Sequence, residues 1–130
     1  MPSAPANAWA FLLIGYILTV LIEVPVLGVG LSSRHSARVR LAAGFWLTAC
    51  TYPIVILVLP YLVWEPFGRA AYLWVAETFA PVAECLLFCL MIGDKTQLWC
   101  RSTVRDCAAI VVANLASFSF GVVLVHYGIL

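Results

Sequence analysis

The sequence predicts an all-α polytopic membrane protein: four transmembrane helices in an antiparallel bundle, with both the N-terminus and the C-terminus outside. Three observations predict it. First, 65% of the 130 residues are hydrophobic and only 10% are charged, with a mean hydropathy of +1.06; a soluble domain carries about a quarter charged residues. Second, the charges are bunched. Arg34, Arg38 and Arg40 fall in one gap, and Asp94, Lys95, Arg101, Arg105 and Asp106 fall in another. Third, the apolar runs between these bunches are each about 22 residues, enough to cross ~30 Å of hydrocarbon at ~1.5 Å per residue. They lie near 8–31, 41–63, 71–92 and 107–128, within a single domain spanning 1–130.

The first run follows an N-terminus without basic residues and is too long for a signal-peptide core, so it reads as a retained helix. A polar, basic loop from Ser32 to Arg40 leads to the second run. The next connection, Trp64 to Ala70, is short and contains Pro66 and Gly68, which makes the second and third runs antiparallel neighbours. Gly93-Asp94 is a stop signal for the third run, and a longer polar loop from Gly93 to Asp106 precedes the fourth. The first and third loops hold six of the seven Lys and Arg; the middle loop holds Arg69. The positive-inside rule therefore places the two long loops in the cytoplasm. Trp9, Trp64, Tyr72, Trp74 and Tyr127 then fall at outer ends, where amphipathic rings prefer to lie. The expected location is the cell's inner membrane, multi-pass. No internal repeat is evident in the sequence.

Pro25, Pro53 and Pro81 interrupt three of the four runs, freeing the carbonyls of Leu21, Ala49 and Glu77. Membrane helices tolerate such breaks where neighbouring groups or water satisfy the freed carbonyl.

The chemistry concentrates on acids. Glu23, Glu77 and Glu84 lie inside apolar runs, where a carboxylate costs roughly 2.5 kcal/mol or more. At about 100° per residue, each run carries one polar stripe. Tyr16, Thr19 and Glu23 share a face in the first, and Thr48, Thr51 and Tyr52 in the second. Glu77 and Glu84 share one in the third, and Asn114 and Ser117 in the fourth. Four stripes predict a polar bundle interior. Glu23, Thr48, Glu84 and Asn114 all fall about 10–12 Å from the cytoplasmic boundary. Glu77, Tyr16, Tyr52 and Ser117 form a second layer farther out.

Two carboxylates close together in low dielectric cannot both stay ionised without a proton or a cation. Asn and Thr add the neutral oxygens that a hard cation needs. Glu23, Glu84, Asn114, Thr48 and Thr51 are thus the expected proton- or cation-binding set, with Glu77, Tyr16, Tyr52 and Ser117 as a pathway. The expected function is proton- or cation-coupled transport or ion conduction. A non-transporting accessory or scaffold subunit, packed against a larger membrane partner, is the alternative. Ala109, Ala113, Ser117 and Gly121 form a small-residue ridge suited to close helix packing, within the chain or between two copies as a homodimer.

Other chemistries find little support. Cys85 and Cys89 lie about 80–120° off the glutamate face and read as small buried hydrophobes, so no metal site is expected. His35 sits among arginines and reads as part of a basic surface for anionic headgroups. No nucleophile–base pair or phosphate loop is present, so the reading leans away from an enzyme; no cofactor is expected. A net charge of +1 gives no basic stripe for nucleic acid. The expected partners are the lipid bilayer, a proton or small cation, and a second copy or a larger membrane protein.

Overall fold

The computed structural model describes residues 8–91 and 100–129, and among them every regular element is helical. The backbone forms three continuous helical runs, each long and apolar enough to cross a membrane. The first is α1 (Ala8–Gly30) and the last is α4 (Arg101–His126). The middle run, Ala37 to Met91, joins α2 (Ala37–Pro53), two π-helical turns (Ile54–Val58 and Pro60–Trp64) and α3 (Glu65–Met91).

Each part of the middle run has a local cause. Ser36 caps α2 by accepting from the Val39 N–H, which supplies an acceptor for a backbone donor that has none within the helix. Pro53 and Pro60 have no N–H to donate four residues back. Around them the ladder widens: Leu59 N–H bonds Ile54 O, and Glu65 N–H bonds Pro60 O. Gly68 leaves helical geometry at φ 87° and ψ 173°, a region that glycine enters without steric cost. There the chain doubles back. Tyr72 Oη donates to Val55 O at 3.1 Å, and the Trp64 and Tyr72 rings lie 5.4 Å apart. The middle run thus contributes two antiparallel limbs.

The limbs pack in cyclic order. α1 packs on α2 and α4, and α3 packs on α4 and α2. All four adjacencies are antiparallel. Arg40 reaches Gly28 O while Gly15 faces Tyr52. Ser32 meets Asp106 while Ser117 meets Glu23. Along α3, Cys89 lies by Cys107 and Glu84 by Asn114; Thr51 faces Glu84 while Val55 faces Tyr72.

Glycines set the spacing. A Cβ on Gly44 would lie 2.9 Å from Val24 Cα, and one on Gly30 would lie 2.8 Å from Ala109 Cβ. The ridge on α4 therefore works within the chain: Ala109 and Ala113 are buried, Ala109 against Gly30 of α1. Gly121, at the ridge's other end, has nothing within 4 Å of where its Cβ would be.

Two layers make up the interior. Leu27, Leu31, Ala43, Leu47, Phe88, Ala109, Ile110 and Ala113 form a close-packed apolar plug toward the end that holds the α1–α2 loop. Toward Gly68 the interior turns polar. The outer surface is the reverse, with Leu21, Val82, Leu86, Leu90, Val112 and Leu115 exposed. Apolar side chains outside and polar ones inside suit a hydrocarbon solvent.

The buried positions reveal an internal equivalence that the sequence does not show. Val20, Glu23 and Leu27 of α1 match Pro81, Glu84 and Phe88 of α3 at constant spacing. Ala43, Gly44, Leu47 and Thr48 of α2 match Ala109, Ile110, Ala113 and Asn114 of α4 in the same way, and Thr51 matches the half-buried Ser117. With α1 and α3 running the same way, the hairpins α1–α2 and α3–α4 are related by a pseudo-two-fold along the bundle.

Several sequence-based boundaries need correction. α2 begins at Ala37 rather than near 41, and α4 begins at Arg101 rather than near 107. Hydropathy marks where a run stops being apolar, whereas a helix continues as long as its backbone bonds do. Arg105 and Asp106 are consequently helical. The expected stop at Gly93-Asp94 and the residues Lys95 and Trp99 lie outside the described residues.

Gly44→Val should lower stability by about 1–3 kcal/mol, because α1 would have to move off α2. Thermal unfolding in detergent checks this, with Gly121→Ala, which meets no atom, as the neutral control.

Candidate functional site

Four limbs deliver one layer of side chains to the bundle centre. α1 brings Glu23 and α3 brings Glu84, 2% and 1% exposed. α2 brings Thr48 and Thr51 one turn apart, and α4 brings Asn114 and Ser117 one turn apart. Thr48 Oγ1 donates to Glu23 Oε2 at 2.5 Å, and Ser117 Oγ donates to Glu23 Oε1 at 2.8 Å. Thr51 Oγ1 donates to Glu84 Oε1 at 2.7 Å, and Asn114 Nδ2 donates to Glu84 Oε2 at 2.7 Å. Each carboxyl is therefore tied to both α2 and α4. Among the described residues, no arginine or histidine hydrogen-bonds either acid.

A cavity of about 320 Å³ runs from these carboxyls toward the Gly68 end, where Arg69, Tyr72, Leu124 and Val125 line it. One water needs roughly 10–15 Å³ by a comparable measure, so the space admits several. Pseudo-equivalent residues line it in pairs: Glu23 and Glu84, Thr48 and Asn114, Thr51 and Ser117, Tyr52 and Phe118. The cavity thus lies on the pseudo-two-fold axis. Glu77, half-buried, lines its wall, and no side chain among the described residues hydrogen-bonds it.

The sequence-derived set is assembled as a group with two exceptions. Glu23, Glu84, Asn114, Thr48 and Thr51 all meet in the cage. Ser117, expected in the outer layer, belongs to the cage as a partner of Glu23. It lies one turn beyond Asn114 on α4, as Thr51 lies one turn beyond Thr48 on α2, so each of these helices reaches both carboxyls. Of the expected pathway, Glu77 and Tyr52 line the cavity, but Tyr16 does not. Its hydroxyl turns away to donate to Phe45 O at 3.0 Å, and its ring packs edge-on to Tyr52, centroids 5.9 Å apart.

A second polar cluster closes the opposite end. Asp106 is fully buried and accepts from Ser32 N at 2.6 Å, Ser32 Oγ at 3.2 Å and Arg34 Nη2 at 3.4 Å. His35 Nε2 lies 2.9 Å from Asp106 Oδ2, and the His35 ring packs edge-on to Phe88. His35 is therefore a latch residue and not part of a lipid-facing basic surface; its side chain is 9% exposed. The carboxylate draws it inward, away from Arg38 and Arg40. Sequence reading missed Asp106 because it assigned that residue to a loop. The signal available was an acid one turn into a basic segment, opposite a Ser-Ser-Arg-His stretch. Nearby, at the first turn of α4, Thr103 holds the Cys100 thiol down to about 7 by hydrogen bonds from its hydroxyl and its backbone N–H.

Among the described residues, no three His, Cys, Asp or Glu side chains converge to hold a metal. Cys89 Sγ lies 3.9 Å from Cys107 Sγ, and Cys85 Sγ donates to Cys107 O, both away from the carboxyls. No family model, curated protein or solved structure matches the chain. What defines it is the class set by fold and site: a helical protein with runs long and apolar enough to cross a membrane and an acid-floored axial cavity.

Asp106→Ala should destabilise the protein by about 2–3 kcal/mol, since it strands the buried Ser32 N–H and takes the carboxylate from Arg34 and His35. Asn114→Leu should cost nearer 1 kcal/mol, as interhelical bonds in membranes are individually modest. Denaturation of both variants in mixed micelles, side by side, checks the order.

Proposed function

We propose that this chain is a four-helix transmembrane protein of the cell's inner membrane that moves protons or small cations, by coupled transport or by conduction, through its polar interior. The observation that carries this reading is the pair of buried carboxyls, without a cationic partner among the described residues, at the floor of an axial cavity. Bare carboxylates there would place two negative charges in low dielectric, so the cage takes up a compensating positive charge. A cavity wide enough for water runs from that floor toward the Gly68 end. Toward the other end lie the Leu27–Phe88 plug and the Asp106 latch.

Orientation follows from surface chemistry. Arg34, Arg38 and Arg40 lie at the plugged end, while the exposed Trp9, Trp64, Trp74 and Tyr127 lie at the cavity end. The positive-inside rule makes the plugged end cytoplasmic and puts both termini outside. In this orientation the cavity faces outward, with Glu77 in its wall as the relay toward the cage.

One observation favours the alternative, an accessory subunit packed against a larger partner or a second copy: all four oxygens of the two carboxyls are already hydrogen-bonded to protein. Reconstitution separates the two readings. Liposomes holding the purified chain should pass protons or Na⁺ or K⁺ down an imposed gradient. Glu23→Gln and Glu84→Gln should each reduce that flux to the level of empty liposomes while the protein still folds. Equal flux in the wild type and both variants would remove the transport reading, and absence of flux in the wild type would favour the accessory subunit.

A further inference from the structure

We propose that the ion held by the cage is the proton, and that the cage holds two, one on each half of the pseudo-two-fold, rather than a metal cation. The inference deepens the transport reading by naming its ion. It rests on which atoms of the cage carry hydrogen.

A metal site presents lone pairs to a common point. This cage presents hydrogens to carboxyls. Asn114 decides the matter most clearly. Its Nδ2 has two hydrogens and two acceptors, Glu84 Oε2 at 2.7 Å and Ile110 O at 3.0 Å. The bond to Ile110 O fixes which end of the amide faces Glu84, because Oδ1 in that place would oppose a carbonyl. Asn114 therefore offers Glu84 a donor, and turning its oxygen inward for a cation would break both bonds.

The hydroxyls add a second, independent argument. Thr48, Thr51 and Ser117 carry one hydroxyl hydrogen each, and each faces two acceptors. Thr48 faces Glu23 Oε2 and Gly44 O at 2.7 Å. Thr51 faces Glu84 Oε1 and Leu47 O at 3.2 Å. Ser117 faces Glu23 Oε1 and Asn114 O at 3.0 Å. With both acids ionised, one contact of every hydroxyl lacks a hydrogen. A proton on Glu23 Oε2 and another on Glu84 Oε1 completes both threonine pairs. Each carboxylic O–H then donates to its threonine, which donates on to its own helix carbonyl.

Symmetry relates the two carboxyls, and each proton sits on the oxygen that faces α2. Thr48 and Asn114 exchange under the pseudo-two-fold, as do Thr51 and Ser117, so each acid has the same two kinds of partner position. The groups able to perturb this titration are few. Tyr52 from α2 and Glu77, Arg69 and Tyr72 from α3 line the cavity, while Tyr16 from α1 and Cys85 from α3 couple to the acids from outside it; among the described residues α4 supplies no charged group there. The two protons leave in two macroscopic steps that belong to the pair.

Infrared spectroscopy of the purified full chain in phosphatidylcholine vesicles tests this. At neutral pH, wild type should show carboxylic-acid C=O bands that shift in D₂O. Glu23→Gln and Glu84→Gln should each remove one band, and Glu77→Gln, as a control, identifies any contribution from the cavity wall. Replacing choline with Na⁺, K⁺ or Ca²⁺ at constant pH should leave the bands unchanged. Loss of the bands on adding any of these ions, or their absence at neutral pH, overturns the proposal, and this arm needs only wild-type protein. Proton flux with bands that respond to Na⁺ would sink the two-proton assignment alone; stable bands in vesicles that pass no ion would sink the transport reading alone.

Discussion

Two carboxyl groups have to be satisfied inside an otherwise apolar bundle, and the rest of this structure follows from how that is done. Lipid tails are as apolar as leucine, so burying leucine between helices gains little in a bilayer. Close packing at Gly44 and Gly30 sets how near the limbs come, but small residues slide. Register comes from the cage. Thr48 and Thr51 on α2, and Asn114 and Ser117 on α4, must each present two groups one turn apart to two different carboxyls. Rotating any limb by one residue, about 100°, would turn its polar pair into a neighbour or into lipid. Individually weak bonds thus fix a unique arrangement because no shifted arrangement satisfies all four carboxyl oxygens.

The cage also divides the interior. On one side lies a close-packed apolar plug with Phe88 and Ile110 almost without exposure, and beyond it the Asp106 latch. On the other side lies open volume. The latch and the cage answer the same problem differently. Asp106 is neutralised by Arg34 near an interface that cations can reach, whereas among the described residues Glu23 and Glu84 have only neutral donors. Charge compensation built into the chain gives a fixed structural contact. Compensation left to an exchangeable proton gives a site whose state follows its surroundings, which is the property a transport or conduction site requires.

Much of this was legible in the residues. Apolar runs separated by basic bunches give the helical segments because hydropathy and length are sequence properties. The acids stood out because carboxylates are costly in such runs, and helical spacing alone put Thr48, Thr51, Glu84 and Asn114 on inward stripes. What escaped depends on three-dimensional register. Ser117 pairs with Glu23 because α4 presents two donors one turn apart, Asn114 to Glu84 and Ser117 to Glu23. Tyr16 shares a stripe with Glu23 yet bonds the Phe45 carbonyl, a choice set by α2 packing. Asp106 looked like loop because helices outlast their apolar stretch. The repeat was invisible for a different reason: equivalence lies in burial, not identity. Leu27 and Phe88, Gly44 and Ile110, and Thr48 and Asn114 fill matching places with unlike side chains.

Where the two halves stop matching is as informative as where they agree. At the cage the pairs are chemically alike, acid with acid and donor with donor. One face-turn farther into the cavity the match ends: Tyr16 of α1 corresponds to Glu77 of α3. Tyr16 is withdrawn onto a backbone carbonyl, while Glu77 stays in the cavity wall with no hydrogen-bonding side chain of its own. Tyr52 and Phe118 break the symmetry in the opposite sense, since only the α2 member carries a hydroxyl. A symmetric floor is therefore approached through an asymmetric shaft, with the acidic group on the α3 side. Arg69 lines the far end of that shaft, and its positive charge opposes any cation there, a proton included. Discrimination between a proton and a metal ion therefore falls to the hydrogen inventory of the cage and not to the shaft.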